Sequence, residues 1–223
     1  MTEQGTLRLL ALFLLTMPLL TACALVRNPA PLSILAPAVD VQPRSDQERV
    51  DWSLQIQRPM ADAMRDSDRV LVRRSASRLQ VYAGAAWLDS VPEMLQSKLV
   101  RVFADSGAFT GVSRAGGMRT RYSLASEIRH FEAIDDGGPD LVIEVVMQFN
   151  LVHQRSARPV ATGTLAQRQR VDGKSIDALV GGFEQALEAL LDELIDWVLA
   201  ESRAFETRAA DIEPGSRRWR RED

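Results

Sequence analysis

Alternating apolar and polar residues in the middle of the chain predict three long β-strands. The clearest covers residues 141–151, where every second residue is apolar and Glu144 lies on the opposite face. A second strand begins at Tyr122 and changes phase near His130, which indicates a β-bulge. A third covers residues 160–171. Shorter strand candidates are residues 32–35, 52–57, 70–72, 79–82 and 109–112. Because short links join the long segments, we expect a mostly antiparallel sheet with one buried face.

Two segments have the apolar spacing of amphipathic helices. The first begins after Ser90, with Glu93 at the capping-box spacing, and ends near Gly107. The second begins after Ser175 and continues to about residue 202. Its apolar stripe consists of Ile176, Leu179, Val180, Phe183, Leu187, Leu190, Leu191, Leu194 and Val198. Two helices packed on one face of the sheet predict a two-layer α+β domain, which we place at residues 51–203.

The N-terminus has the features of an export signal followed by a cysteine. Residues 9–22 form an apolar run of 14 residues, shorter than the roughly 20 residues that span a bilayer and suited to a signal peptide over residues 1–22. The run ends in Leu20-Thr21-Ala22-Cys23, which resembles the bacterial lipobox. The resemblance implies that the peptide is removed and that Cys23, the only cysteine in the chain, is acylated. The alternative is an ordinary signal peptide with an incidental cysteine.

Acylation at residue 23 implies a membrane anchor, since each buried methylene contributes about 0.8 kcal/mol. In lipoprotein sorting an Asp after the acylated Cys favours the inner membrane. Residue 24 is Ala, so the resemblance points to the outer membrane, with the domain facing the periplasm. Four prolines within residues 23–50 predict an extended tether. Residues 204–223 are polar with a basic end, and we predict a mobile tail that is either frayed or in contact with anionic head groups.

Composition excludes several classes of protein. Hydrophobic residues make up 46% and charged residues 26% of the 223 residues, which is ordinary for a globular protein. A net charge of −3 argues against a dedicated nucleic-acid binder. A single cysteine excludes internal disulfides and multi-cysteine metal sites.

The sequence contains no recognisable catalytic motif, neither a phosphate-binding Gly-rich loop nor a nucleophile elbow nor a His-Glu-x-x-His helix. His130 and His153 lie on adjacent predicted strands and could approach each other, but no carboxylates at ligand spacing accompany them, which favours a structural role. Asp135 and Asp136 lie in a turn, where Asp is favoured for local hydrogen bonds; a catalytic carboxylate pair is the less favoured alternative. We therefore predict a protein that is not an enzyme and has no cofactor or metal.

The second helix carries seven acidic residues and no basic residue between Ser175 and Ser202. Glu184, Glu188, Asp192 and Asp196 follow at i+4 spacing and form an acidic ridge, although like charges at this spacing destabilise an isolated helix. The ridge is either a solvated face or a surface that an Arg-rich partner neutralises, on the same domain or on another subunit. We treat it as a candidate partner-binding surface, with a homo-oligomer as one option.

The order of features along residues 30–202 resembles the ABC-type transport auxiliary lipoproteins, the PqiC-like group. After the lipobox and tether, Tyr82-Ala-Gly-Ala-Ala-Trp87 leads into the first helix, Asp105-Ser-Gly-Ala-Phe109 follows it, and a Tyr-Ser-Leu strand continues to His130-Phe-Glu132. The resemblance implies a lipoprotein that works with an MCE-type lipid transport system, composed of an MCE-domain protein, an ABC permease and an ATPase. Such a lipoprotein is a non-catalytic adaptor on the outer-membrane side.

Two other functions remain open at the level of sequence. One is a general envelope-assembly lipoprotein that binds an outer-membrane protein, and the other is a periplasmic lipid-binding carrier or enzyme. A carrier requires an apolar cavity with convergent polar groups, whereas an adaptor requires an exposed surface for its partner.

Overall fold

The computed structural model describes residues 31–40 and 49–212 of the chain. In this part of the chain there are eight strands and two helices. The strands are β1 (Ser33–Leu35), β2 (Ser53–Ile56), β3 (Arg69–Ser75), β4 (Arg78–Trp87), β5 (Gly111–Arg114), β6 (Tyr122–Ile134), β7 (Leu141–His153) and β8 (Arg158–Val171). The helices are α1 (Val91–Asp105), between β4 and β5, and α2 (Ile176–Ile212), after β8.

The strands form one sheet that forks at β6. On one side, β6, β7 and β8 form the long antiparallel meander that the sequence predicts. On the other side, β2 pairs in parallel with the start of β6, with Leu54 opposite Tyr122, and β5 continues that branch. At the far end of β6, β3 pairs with Val72 opposite Ala133, and β4 and β1 follow. The sheet is thus mixed but mostly antiparallel, which confirms the α+β class.

The predicted bulge is present in β6. Pairing with β7 changes register between Ile128 and His130, where the apolar alternation changes phase. The extra residue keeps the apolar side chains of both halves of the strand on the buried face, so Ile128 and Phe131 are both almost fully buried.

The core lies between the apolar face of the sheet and the helices. Trp87 of β4, Phe131 of β6 and Phe183 of α2 form one aromatic cluster, with ring centroids 4.7–5.6 Å apart. Trp52 contacts Phe109 and Tyr122 in a second cluster at the β2 branch. The helical stripe of α2 and the alternating face of β7 supply most of the remaining buried apolar side chains, so the core is where the sequence patterns place it.

The two predicted helix starts differ in their capping. Ser175 caps α2, because its Oγ accepts the Ala178 N–H at 3.1 Å. Ser90 makes no side-chain cap hydrogen bond at the start of α1, and Glu93 instead pairs with Arg58 at 2.5 Å. The capping box predicted there is wrong, since a charged partner distant in sequence takes the carboxylate.

Helix α2 continues to Ile212, well beyond the end predicted near residue 202. Phe205 lies against His153 and Tyr122, with ring centroids 5.3 and 6.4 Å away. The Tyr122 hydroxyl donates to Glu206 Oε1 at 2.5 Å. These contacts fix the helix to the sheet beyond residue 204, and the helix ends at Ile212, so the predicted tail boundary at residue 204 is wrong. Residues 213–223 lie outside the described residues.

Part of the predicted tether belongs to the folded domain. Strand β1 pairs with β4 in parallel, with Leu35 opposite Trp87, and Leu35 and Val39 are buried in the core. The Leu88 N–H donates to the Leu35 carbonyl at 2.8 Å. The domain therefore includes residues 32–40 and does not begin at residue 51.

Candidate functional surfaces

The predicted anchor lies outside the described residues. This applies to all four lipobox residues, Leu20, Thr21, Ala22 and Cys23, so acylation stays a prediction. Within the part of the chain that the structure describes, no helix has both the length and the apolar character needed to cross a membrane.

Glu184, the first residue of the acidic ridge on α2, contacts the N-terminal segment of the same domain. Glu184 Oε1 accepts the backbone N–H of Ala38 at 2.7 Å. Lys98 is close enough for Glu184 to raise its pKa, although burial outweighs this effect and holds the pKa below its ordinary value. The Lys98 ammonium also donates to the Pro37 carbonyl. Glu184 therefore has partners within the domain, unlike a residue reserved for another protein.

The other three ridge residues continue along α2. Glu188 and Asp192 are half-buried and Asp196 is exposed. Asp192 and Asp196 each have an interaction partner as well, so neither side chain is free. Beyond Glu184, the candidate partner surface thus consists of two half-buried carboxylates and the exposed Asp196.

Two carboxylates on the open face of the sheet, the face away from the helices, are buried under arginine side chains. Glu132 of β6 has no exposed side-chain surface, and Glu144 lies directly opposite on β7. Arg65 donates to both oxygens of Glu132 at 2.8–2.9 Å. Arg168 donates to Glu144 at 2.7 Å, and Arg73 also pairs with it. Because a buried carboxylate is costly unless it is paired, the three guanidinium groups compensate the burial of both carboxylates.

His130 belongs to this arginine–carboxylate network. Its Nδ1 lies 2.8 Å from Glu132 and 3.7 Å from Glu144. The expectation that no carboxylates accompany this histidine is wrong, because strand alternation brings Glu132 to its side and strand pairing brings Glu144. His153 pairs opposite Tyr122, whereas His130 pairs opposite Val146, so the two histidines lie at separate positions along the β6–β7 ladder.

His130, Glu132 and Glu144 bring three potential metal ligands within 4.8 Å of one another. The same carboxylate oxygens already receive hydrogen bonds from Arg65 and Arg168. A divalent cation would have to displace these guanidinium groups and would be repelled by their charge. The donor set therefore fits an ion-pair network better than a metal centre.

Asp135 ends β6 and organises the following turn. Its Oδ1 accepts the Gly137 N–H at 2.9 Å, and Arg74 and Lys174 pair with it at 2.6 and 2.7 Å. The Lys174 hydrogen bond holds the pKa of Asp135 below its ordinary value. Asp136 is exposed and closes its own turn onto Gly138, so local hydrogen bonding, as predicted for this turn, is confirmed.

A surface cavity of about 420 Å³ adjoins Asp135. Arg74, Lys174 and Tyr82 line it together with apolar residues of β3 and β4. Both cations face the Asp135 carboxylate, and the Tyr82 hydroxyl donates to the Lys174 carbonyl at 2.7 Å. The polar groups in this cavity thus satisfy one another.

The edge of the sheet at β1 carries an exposed apolar patch. Leu32, Ile34 and Leu88 have exposed fractions of 60%, 54% and 69%. A shallow groove of about 240 Å³ continues the patch, lined by Ala36, Leu88, Asp89, Met94, Ser97, Lys98 and Arg101. We refer to Leu32, Ile34 and Leu88 as the edge patch.

Comparison with known proteins identifies the family. Residues 32–195 match the ABC-type transport auxiliary lipoprotein component family, and the match includes the edge patch and the arginine–carboxylate network. Since it covers well over half of the chain, the protein belongs to this family of lipoproteins that assist ABC-type transporters, as the order of motifs predicts.

Solved structures agree with the family fold. The crystal structure of protein XCC0632 from Xanthomonas campestris superposes with a TM-score of 0.74 at 32% identity, covering 78% of this chain and 99% of that chain. A crystal structure of an uncharacterized protein has a TM-score of 0.59 at 12% identity, covering 76% of this chain and 98% of that chain, and supports the fold alone.

A relative from Bradyrhizobium diazoefficiens, an uncharacterized protein, is 26% identical over 148 residues. The aligned region covers 66% of this chain but 39% of that relative. The relative is thus a longer protein, of which this chain spans well under half.

Proposed function

We propose that the protein is a membrane-anchored periplasmic lipoprotein and a non-catalytic adaptor of an MCE-type ABC transport system that moves lipid or solvent between the inner and outer membranes. Its partners are the MCE-domain protein and the associated permease and ATPase. The observation that carries the proposal is the family match over residues 32–195, preceded by a sequence that resembles a lipobox and ends at Cys23, separated from the match by eight residues.

The chemistry of the described surfaces supports an adaptor in preference to an enzyme. The buried carboxylates Glu132 and Glu144 are paired with arginines, and Asp135 is paired with Arg74 and Lys174. A general acid or base must be able to exchange a proton with its substrate, whereas these carboxylates are already bonded to arginine and lysine side chains of the same domain. The groove beside the edge patch measures about 240 Å³, smaller than the roughly 300–1,000 Å³ of typical ligand pockets. The cavity beside Asp135 is larger, about 420 Å³, but Arg74 and Lys174 in its lining are paired with Asp135, which makes it a poor site for an apolar lipid chain.

The anchor is tested in the native host by metabolic labelling with an alkyne palmitate analogue, followed by separation of the inner and outer membranes. We expect the label on the parent chain in the outer-membrane fraction. Cys23→Ser should lose the label, and Ala24→Asp should keep the label but shift toward the inner membrane. An unlabelled parent chain would exclude a lipoprotein.

The partner is tested by site-specific photo-crosslinking from exposed positions of α2, followed by mass spectrometry. Recovery of an MCE-domain protein supports the proposal, whereas recovery of an outer-membrane barrel protein alone would favour the envelope-assembly alternative. Glu188→Gln with Asp192→Asn should reduce crosslinking several-fold if the acidic ridge binds the partner. The control is Glu193→Gln, which removes a charge from an exposed position on the same helix that bonds Gln167 within the domain.

A further inference from the structure

Exposed apolar side chains are concentrated at one edge of the sheet. Of the seven large apolar side chains that are exposed among the described residues, Leu32, Ile34 and Leu88 lie on or beside β1. Leu32 and Ile34 are two residues apart in an extended segment, so they lie on the same face, opposite the buried Leu35. Leu88 directly follows Trp87, the pairing partner of Leu35, at the end of β4. Grouped apolar exposure of this kind marks an interaction surface.

The position of the patch in the chain indicates what it contacts. Eight residues, 24–31, separate Cys23 from Leu32. Even when fully extended, this length of chain spans at most about 30 Å. An acyl group on Cys23 therefore keeps Leu32, the first residue of the edge patch, within that distance of the lipid surface.

The chemistry of the patch also suits a lipid surface. Strand β1 consists of Ser33, Ile34 and Leu35 and has no charged residue. In the adjoining groove the cations are Lys98 and Arg101, with Asp89 as the acidic residue. Arg101 is three-quarters exposed and lies 3.4 Å from Asp105. Apolar side chains bordered by cations are typical of segments that rest in the head-group region of a bilayer.

We propose that Leu32, Ile34 and Leu88 rest on the lipid leaflet to which Cys23 is attached, as a second, non-covalent contact that fixes the orientation of the domain on the membrane. This inference rests on the acylation proposed above. It goes beyond that proposal, because an acyl anchor on an extended tether does not by itself determine which face of the domain meets the lipid.

The test uses the acylated full chain, in which acylation blocks the only native thiol. Ile34→Cys and Met118→Cys each add a single free thiol for an environment-sensitive fluorophore. Met118 is the matched control, because it is 47% exposed against 54% for Ile34 and follows β5, at the opposite end of the strand order from β1.

Labelled proteins are reconstituted in vesicles of phosphatidylethanolamine and phosphatidylglycerol, with doxyl lipids as quenchers. We expect at least about threefold stronger quenching at residue 34 than at residue 118, with a similar result for Leu88→Cys.

Three other outcomes would overturn the inference. Equal quenching at residues 34 and 118, in protein that floats with the vesicles, would show that the edge patch does not contact lipid although the acyl anchor holds the protein on the vesicle. Crosslinking between residue-34 probes of two copies, without lipid quenching, assigns the patch to a second copy. Failure of the unlabelled parent chain to float with vesicles contradicts acylation itself, so the proposed function and this inference fall together.

Discussion

At the scale of single residues, the open face of the sheet is organised by buried charge. Glu132 accepts hydrogen bonds from Arg65 and from the Phe131 N–H, and Arg65 itself is only 12% exposed. Removing one member of a buried pair leaves the other charge without compensation, which costs several kcal/mol. The network therefore matters for stability even though replacing all of its members together with apolar residues could be neutral.

We expect Glu132→Gln to lower the free energy of unfolding by about 3 kcal/mol, because Arg65 would keep only the half-exposed Asp62 as a carboxylate partner and lose the buried one. Urea unfolding monitored by tryptophan fluorescence measures this. Glu127→Gln is the control on the same strand, since Glu127 is 46% exposed and lies 3.7 Å from Arg129; we expect it to cost less than about 1 kcal/mol. Equal losses for the two variants would mean that the buried network does not hold the sheet face together.

Asp135 makes the stability of the folded protein depend on pH in the acidic range. The hydrogen bond from Lys174 holds the pKa of Asp135 below its ordinary value in the folded state, so the folded state binds this proton more weakly than the unfolded state does. The ionised carboxylate therefore stabilises the fold above its unfolded pKa of about 3.9. That stabilisation disappears as the pH falls through the lower, folded pKa.

We expect Asp135→Asn to be less stable than the parent chain at neutral pH and to lose less stability on acidification from about pH 6 to about pH 3. Urea midpoints across this range measure the slope for each protein. Asp136→Asn, at the exposed neighbouring position, should follow the parent slope. A parallel pH dependence of Asp135→Asn and the parent chain would contradict the proposed role of the Asp135–Lys174 pair.

At the scale of elements, two adjacent glycines show how closely α2 approaches the sheet. A Cβ on Gly182 would lie 2.5 Å from Val171 Cγ1 and 2.6 Å from Ile143 Cγ1, whereas a Cβ on Gly181 would meet no atom within 4 Å. Both neighbours of Gly182 are buried, β-branched and restricted in rotamer. Gly182 therefore sets the contact distance between α2 and the sheet.

We expect substitution by alanine to have opposite effects on stability at the two glycines. Gly181→Ala should stabilise the protein by about 0.5–1 kcal/mol, because alanine favours a helix more than glycine does. Gly182→Ala should destabilise it by about 1–2 kcal/mol, because overpacking exceeds the helical gain. Thermal unfolding of both variants checks this, and stabilisation by both would show that α2 can move away from β7 and β8.

The elements were largely predictable because their patterns are local. Alternation in β7, the phase change near His130 and the apolar stripe of α2 each follow from one stretch of sequence. The end of α2 does not follow from its apolar stripe, which ends at Val198. The helix continues where Phe205 and Glu206 contact Tyr122, a residue distant in sequence. The arginine–carboxylate network was missed for the same reason. Its signals in the sequence are His130 and Glu132, two residues apart on one strand, and Glu144 on the neighbouring strand; Glu132 and Glu144 form a like-charge pair that requires cations from elsewhere.

At the scale of the whole molecule, residues 32–40, the described segment that follows the proposed anchor in sequence, pack into the core. Leu35 and Val39 are buried, Ala38 bonds Glu184 of α2, and the Lys98 ammonium of α1 bonds the Pro37 carbonyl. The segment thus contacts both helices and β4. A force or orientation imposed at the membrane reaches the core through these contacts, without a long flexible linker within residues 32–40.

We expect alternate residues of β1 to separate these two roles. Leu35→Ala should lower the free energy of unfolding by about 2–3 kcal/mol, since it removes a buried side chain. Ile34→Ala should change it by less than about 0.5 kcal/mol, since that side chain is exposed. Urea unfolding of both variants in a Cys23→Ser background, without lipid, measures the difference. Equal effects would show that β1 unfolds separately from the core, and the anchor could then impose no fixed orientation on the domain through this strand.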